Sequence, residues 1–185
     1  MKVVETPIKG IKLLDIDCYR DNRGFFLESY QAEKYHAVGI QESFVQDNHS
    51  RSKKGVLRGL HFQIQRPQSQ IVTVMRGEIY DVAVDIRPAS PTFGRWHGVV
   101  LSDEGIRQIY VTEGFAHGFC VLSEWADLHY KVSRFYDADD EGGLLWNDPD
   151  LAISWPNITP IIKQRDAEFP QLSGLTGEQF PNVSK

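Results

Sequence analysis

Three short segments rich in β-branched and aromatic residues each carry side chains suited to moving protons. In 79–86 the even positions Tyr80, Val82, Val84 and Ile86 are large and apolar, while the odd positions hold Asp81, Ala83 and Asp85. Side chains alternate across a strand, so the two aspartates share one face, which is either solvent or the lining of a polar cavity; solvent is the ordinary reading. In 56–63 the odd face runs Leu57, Gly59, His61 and Gln63, and Gly59 lets a neighbour approach closely beside His61. In 128–135 Leu128, Tyr130 and Val132 share one face, with His129 and Lys131 on the other. Histidine and tyrosine are residue types of general acid–base catalysis. Taken singly, a strand histidine is ordinarily structural and a buried tyrosine satisfies its hydroxyl with one hydrogen bond.

Metal chemistry asks for a close pair of ligands. His61-Phe62-Gln63 has an amide where a His-x-His pair has its second imidazole, and the histidines at 36, 49, 97, 117 and 129 form no other close pair. A metal-free site is expected. Nucleophilic hydrolysis is not indicated, since there is neither an elbow-type serine nor a Cys/His signature. The run Arg51-Ser52-Lys53-Lys54, followed by Arg58, reads either as a solvated loop or as a small phosphate-holding patch.

The elements that must position these residues are mostly strands. Strand signals cover 11–14, 24–30, 56–64, 71–75, 79–86, 97–101, 106–111, 115–122 and 128–135, separated by turn residues such as Arg76-Gly77 and Glu104-Gly105. Only 31–38 reads as a helix. Short strands at intervals of roughly 8–12 residues without alternating helices predict an all-β, mostly antiparallel sandwich, with a jelly roll preferred. A length of 185 residues fits one domain, 1–185, whose tail at 156–185 is irregular and wraps it.

A net charge of −5 argues against a broad nucleic-acid surface. Hydrophobic residues at 41% and charged residues at 24% are ordinary for a globular chain. Cys18 and Cys120 lack the spacing of a disulfide framework or zinc site and are expected as free thiols. No uncharged stretch approaches the roughly 20 residues of a membrane helix, and the first ten residues lack the apolar core of a signal peptide. The expected location is the cytoplasm.

Seven ordered motifs resemble the dTDP-4-dehydrorhamnose 3,5-epimerase family: DNRGFFLE at 21–28, FVQDNHS at 44–50, GVLRGLHFQ at 55–63, DVAVDIR at 81–87, SPTFG at 90–94, GFAHGF at 114–119 and WNDPD at 146–150. The likeness runs to about Asp166. It implies a cupin-type jelly-roll β-sandwich that inverts C3 and C5 of dTDP-4-keto-6-deoxyglucose, on the way to L-rhamnose. Both carbons flank the C4 ketone, so loss of a proton gives an enolate; the reaction needs a base, an oxyanion stabiliser and an acid, and no cofactor.

By resemblance His61 is the base and Tyr130 the acid on the opposite face of the sugar ring. Asp81 and Asp166 correspond to carboxylates that support the histidine. Arg23, Phe26 and Glu28 are implied in nucleotide recognition, with Gln46, Asn48, Arg58 and His117 near phosphates or sugar and Tyr136 near the sugar or base. Family members are homodimers whose N-terminal strand reaches the neighbouring site, so Arg23 and Glu28 would serve the partner. Strict parity separates Arg58 from His61, and a bulge at Gly59 would reunite them.

Two departures stand out. Thr112 replaces a common proline, which is mild. Gln70 replaces a lysine suited to the ketone oxygen or phosphate, and an amide cannot neutralise an enolate. Three readings follow in order: a double epimerase with altered kinetics, a single-carbon epimerase on a related 4-keto sugar, or a nucleotide-sugar binding protein with weak catalysis. On this basis Gln70→Lys is expected to raise activity. The tail from Gly174 has no firm counterpart.

Overall fold

Two antiparallel sheets face one another in the computed structural model, which describes residues 1–183; the last two residues of the expected tail, 184 and 185, lie outside the described residues. Numbered in chain order, one sheet contains β1 (Lys2–Glu5), β2 (Ile11–Asp15), β10 (Arg107–Val111), β7 (Gln70–Arg76), β12 (Trp125–Val132) and β5 (Gln46–Lys53), in that spatial order. The other runs β13 (Glu141–Gly143), β6 (Leu57–Gln63), β11 (Phe115–Val121), β8 (Glu78–Asp85) and β9 (Trp96–Ser102). Strands 5-12-7-10 opposite strands 6-11-8-9 are the two facing four-stranded sheets of a jelly roll, as the strand pattern predicted. A separate hairpin, β3 (Cys18–Asp21) with β4 (Gly24–Leu27), stands apart from both sheets.

Between the sheets, Ile11, Leu13, Val72, Val74, Ile79, Leu101, Ile109 and Leu128 form the main apolar core. Two smaller clusters cover the outer faces. Helix α1 (Ala32–Ala37) is capped by Gln31, whose side chain accepts from the Lys34 N–H at 2.7 Å, and it buries Tyr35 against Leu14, Ile71 and Tyr110. On the opposite side Leu172 and Leu175 of the tail pack with Val82, Val84 and Ile86.

This second cover corrects the ordinary reading of β8. Both its faces are buried, the even face under the tail and the odd face inside the sandwich, where Asp81 and Asp85 are 0% exposed. Asp85 is structural: it accepts from Arg87 Nε at 2.9 Å and from Ser90 Oγ and Thr92 Oγ1, both at 2.6 Å, so the turn after β8 is tied to its end. Asp148 plays the same part for the tail, accepting from the Leu172 N–H at 2.7 Å.

Strand edges moved in places. The segment placed at 128–135 is β12, Trp125–Val132, because its last pairs are Val132 with Gln46 and Gln70, and Phe135 beyond them is exposed. β5 escaped detection since Gln46–Lys53 reads QDNHSRSK, with hardly a β-former in it. The basic run at 51–54 is therefore largely strand, not loop, and Arg51 Nε bonds Asp127 Oδ1 at 2.7 Å across to β12.

Candidate active site

A cavity of about 630 Å³ opens between the sheets beside the apolar core. From the five-stranded wall it receives Arg58 and His61 on β6, Asp81 on β8 and His117 on β11. The six-stranded wall contributes Gln46 and Asn48 on β5, Gln70 on β7 and Tyr130 on β12. Half-exposed Tyr136 at the rim and buried Asp166 complete the set.

The local fold of β6 explains how Arg58 and His61 share the cavity. His117 on β11 faces His61, while Phe119 faces Arg58, so three steps along β6 match two along β11. That extra residue is a bulge, and it lies at Gly59 as parity required. Gly59 has φ +112°, and a Cβ there would stand 2.6 Å from both Gly118 Cα and the His117 carbonyl oxygen, so no side chain fits.

The tail supplies His61 with its carboxylate. Ile161 pairs with Val56 through bonds from Leu57 N to Ile161 O at 3.0 Å and from Ile161 N to Gly55 O at 2.7 Å. A single turn of helix, α2 (Gln164–Ala167), then carries buried Asp166 to 3.0 Å from His61 Nε2, with the Gly59 N–H also donating to it at 3.3 Å. Burial works against ionising Asp166, but the His61 bond and charge, the Gly59 N–H and Arg165 together outweigh it and hold its carboxyl below the usual range.

Because that folded value lies below the unfolded one, the stabilisation is fully present above about pH 3.9 and is lost as pH falls through the folded value. Asp166→Asn is therefore expected to be less stable than the wild type at pH 6 to 7, with the difference narrowing as pH falls below about 3.9. Denaturant titrations at pH 7 and across the range below about 3.9 read this out directly, and a gap independent of pH would contradict it.

Asp81 corrects a second expectation. Its Oδ1 lies 2.8 Å from His117 Nε2, not against His61, because β11 sits between the strand of Asp81 and the strand of His61. His117 Nδ1 in turn lies 2.8 Å from Gln70 Oε1. Arg58 donates from Nε to Ser52 Oγ at 3.0 Å, and among the described residues no carboxylate pairs with it. Tyr130 is half-buried; burial raises its hydroxyl pKa, Arg58 partly offsets this, and Glu141 adds to the rise, so the group stays protonated and able to donate.

Sequence reading missed Glu141 and Arg165. Glu141 Oε1 is 3.8 Å from His61 Nδ1, and its Oε2 accepts from Tyr136 Oη at 3.1 Å and from Arg165 Nη1. Glu141 closes an acidic run that reads as solvated surface, and Arg165 lay in a tail without pattern. Their only signal was adjacency, Arg165 to Asp166. Gln63 is also engaged: its amide bonds the backbone of Asp137 in both directions, at 2.7 and 2.9 Å.

Arg23, Phe26 and Glu28 are not brought to this cavity. Arg23 and Phe26 lie on the projecting hairpin, and Glu28 pairs with Lys34 at 2.7 Å.

The sequence model of a family described as dTDP-4-dehydrorhamnose 3,5-epimerase matches residues 5–174. The chain belongs to that family. The enzyme of that name from Shigella flexneri is 48% identical over 168 residues, covering 90% of this chain and 93% of its own. A dTDP-4-dehydrorhamnose 3-epimerase from Streptomyces niveus is 40% identical over 170 residues, covering 91% and 82%. Among solved structures, the dTDP-6-deoxy-D-glucose-3,5-epimerase of Legionella pneumophila in complex with dTDP-4-keto-L-rhamnose superposes with a TM-score of 0.96 at 46% identity, covering 100% of this chain and 99% of that one. The sequence model of the epimerase family stops at 174, whereas the Legionella structure matches the described part of the tail beyond it.

Proposed function

We infer that this isomerase inverts C3 and C5 of dTDP-4-keto-6-deoxyglucose, with His61 as the base and Tyr130 as the acid. The observation that carries the assignment is their placement on facing sheets, β6 and β12, across one cavity. Inversion requires that a proton leave one face of the ring and another arrive on the opposite face. A base and acid on the same wall would restore the starting configuration.

His61, its Nε2 turned to Asp166, takes a proton from carbon beside the ketone. The electron pair moves into the C4 carbonyl as an enolate, and the Tyr130 hydroxyl protonates the same carbon from the other side. Once His61 has passed its proton to solvent and Tyr130 has regained one from it, the same steps at the second carbon complete the reaction. Arg58, with no carboxylate partner among the described residues, suits the diphosphate.

The projecting hairpin supports a homodimer in which Arg23, Phe26 and Glu28 reach the neighbouring cavity. Tyr19, Phe25 and Phe26 are 66%, 60% and 69% exposed, and exposed apolar side chains gathered on one element are a mark of an interaction surface. No helix among the described residues is long and apolar enough to cross a membrane. The free thiols of Cys18 and Cys120 fit a reducing compartment, the cytoplasm.

The deciding experiment follows dTDP-4-keto-6-deoxyglucose in deuterium oxide by NMR. Label at both C3 and C5 of an inverted product is expected. Label at one carbon would reduce the activity to a single-carbon epimerase, and no label would refute the assignment.

A further inference from the structure

We propose that His117, held as an imidazolium between Asp81 and Gln70, carries the positive charge that a lysine at position 70 would have brought to this cavity. The proposal rests on the epimerase reading above and names the group that stands in for the missing lysine cation. Its geometry is direct. Both ring nitrogens of His117 face oxygen acceptors at 2.8 Å, Asp81 Oδ1 at Nε2 and Gln70 Oε1 at Nδ1. An imidazole that donates from both nitrogens carries both protons and a full charge.

The surroundings of Asp81 point the same way. This carboxylate is 0% exposed, and Oδ1 has only His117 for a partner, while Oδ2 has none among the described residues. A buried carboxylate without a counter-charge is strongly unfavourable. Four other groups near this network could supply or disturb charge. His97 on β9 is held below its ordinary value by burial even though Asp81 opposes the shift, so it is neutral near pH 7. His61, across from His117 on β6, is paired with Asp166. Arg58 is turned to Ser52, and Tyr130 is neutral. That leaves His117 as the counter-ion.

Gln70 then has a defined part. Its carbonyl oxygen fixes the second proton on His117, and its amide N–H groups remain to donate into the cavity. A lysine at this position would reverse the bond, donating to Nδ1 and leaving a neutral imidazole. Glutamine with imidazolium and lysine with imidazole carry the same total charge, +1, so the exchange of residues moves the cation by one side chain without removing it. The expectation from sequence alone, that Gln70→Lys restores a lost charge, is replaced by relocation.

Gln70 is thus a positioning residue, and the state of His117 is its readout. Long-range ¹H–¹⁵N correlation of histidine-labelled protein near pH 7 is expected to show both His117 nitrogens protonated in the wild type. In Gln70→Met, which keeps the length but loses the acceptor, a proton on Nδ1 would be left unbonded against an apolar side chain; that cost outweighs the pull of Asp81 on the ring's charge, and Nδ1 is expected to lose its proton. Solvent exchange into the sugar should then fall by about 10²-fold, the scale of losing one oxyanion-stabilising group. In Gln70→Lys, Nδ1 is likewise unprotonated, but exchange should exceed that of Gln70→Met by about 10²-fold because the lysine carries the charge.

A wild-type His117 with only one protonated nitrogen would overturn the proposal, whether the proton sat on Asp81 or the Gln70 amide were reversed. So would exchange in Gln70→Met equal to that of the wild type. The NMR measurement uses the protein without sugar, so its failure is distinct from that of the epimerase reading, which fails instead if the wild type exchanges neither carbon.

Discussion

His61→Asn is expected to lose deuterium exchange at C3 and C5 together, by about 10³-fold, within the range of a positioned general base. Both carbons are acidified by the same C4 ketone, and the cavity brings one imidazole, oriented by Asp166 at 3.0 Å, to that region. Asparagine keeps a polar side chain of similar reach but has no basic nitrogen. The fold should survive, because Asp166 retains the Gly59 N–H and Arg165 as partners when the imidazole is gone. Unchanged circular dichroism with absent exchange is the anticipated pair of results. Loss at one carbon alone would mean a second base, and Glu141, 3.8 Å from His61 Nδ1, is the carboxylate placed to be one. Glu141→Gln would then abolish the remainder.

How far this site was legible depended on whether its determinants were local. Alternation along β8 and β12 set faces correctly, which is why Tyr130 could be separated from His129 and Lys131; the latter pairs with Asp47 at 2.6 Å on the outer face. What lay beyond each face was not local. The odd side of β8 became interior only because a second sheet closed over it, and the even side only because Leu172 and Leu175 arrived from 90 residues on, roughly the far end of the chain. Gly59 announced a close approach, and the bulge followed from reconciling Arg58 with His61. The partner of Asp81 was misassigned for a topological reason: alternation gives the face of a residue but not which strand lies beside it. β5 and Glu141 were invisible because polar strands and acidic runs look like solvated surface until something is packed against them.

Tyr130→Phe separates proton removal from inversion, which His61→Asn cannot. The ring packs against the main core, so phenylalanine preserves its contacts and removes only the hydroxyl that burial keeps protonated. His61 and Asp166 are untouched, so the enolate still forms. Without a donor on the six-stranded wall, the proton returns from the face it left, after the imidazole has exchanged with solvent. The expected outcome is deuterium in recovered starting material, while inverted product falls by about 10²-fold or more. Comparing label in substrate and product over one NMR time course gives both numbers. If product forms at the wild-type rate, the donor is another group at the rim. Tyr136 is the first to test, since its hydroxyl already bonds Glu141 at 3.1 Å and opening that bond would turn it toward the sugar. If both exchange and inversion vanish, Tyr130 takes part in forming the enolate as well as quenching it, and its hydroxyl would then lie closer to the C4 oxygen than to the carbon it protonates.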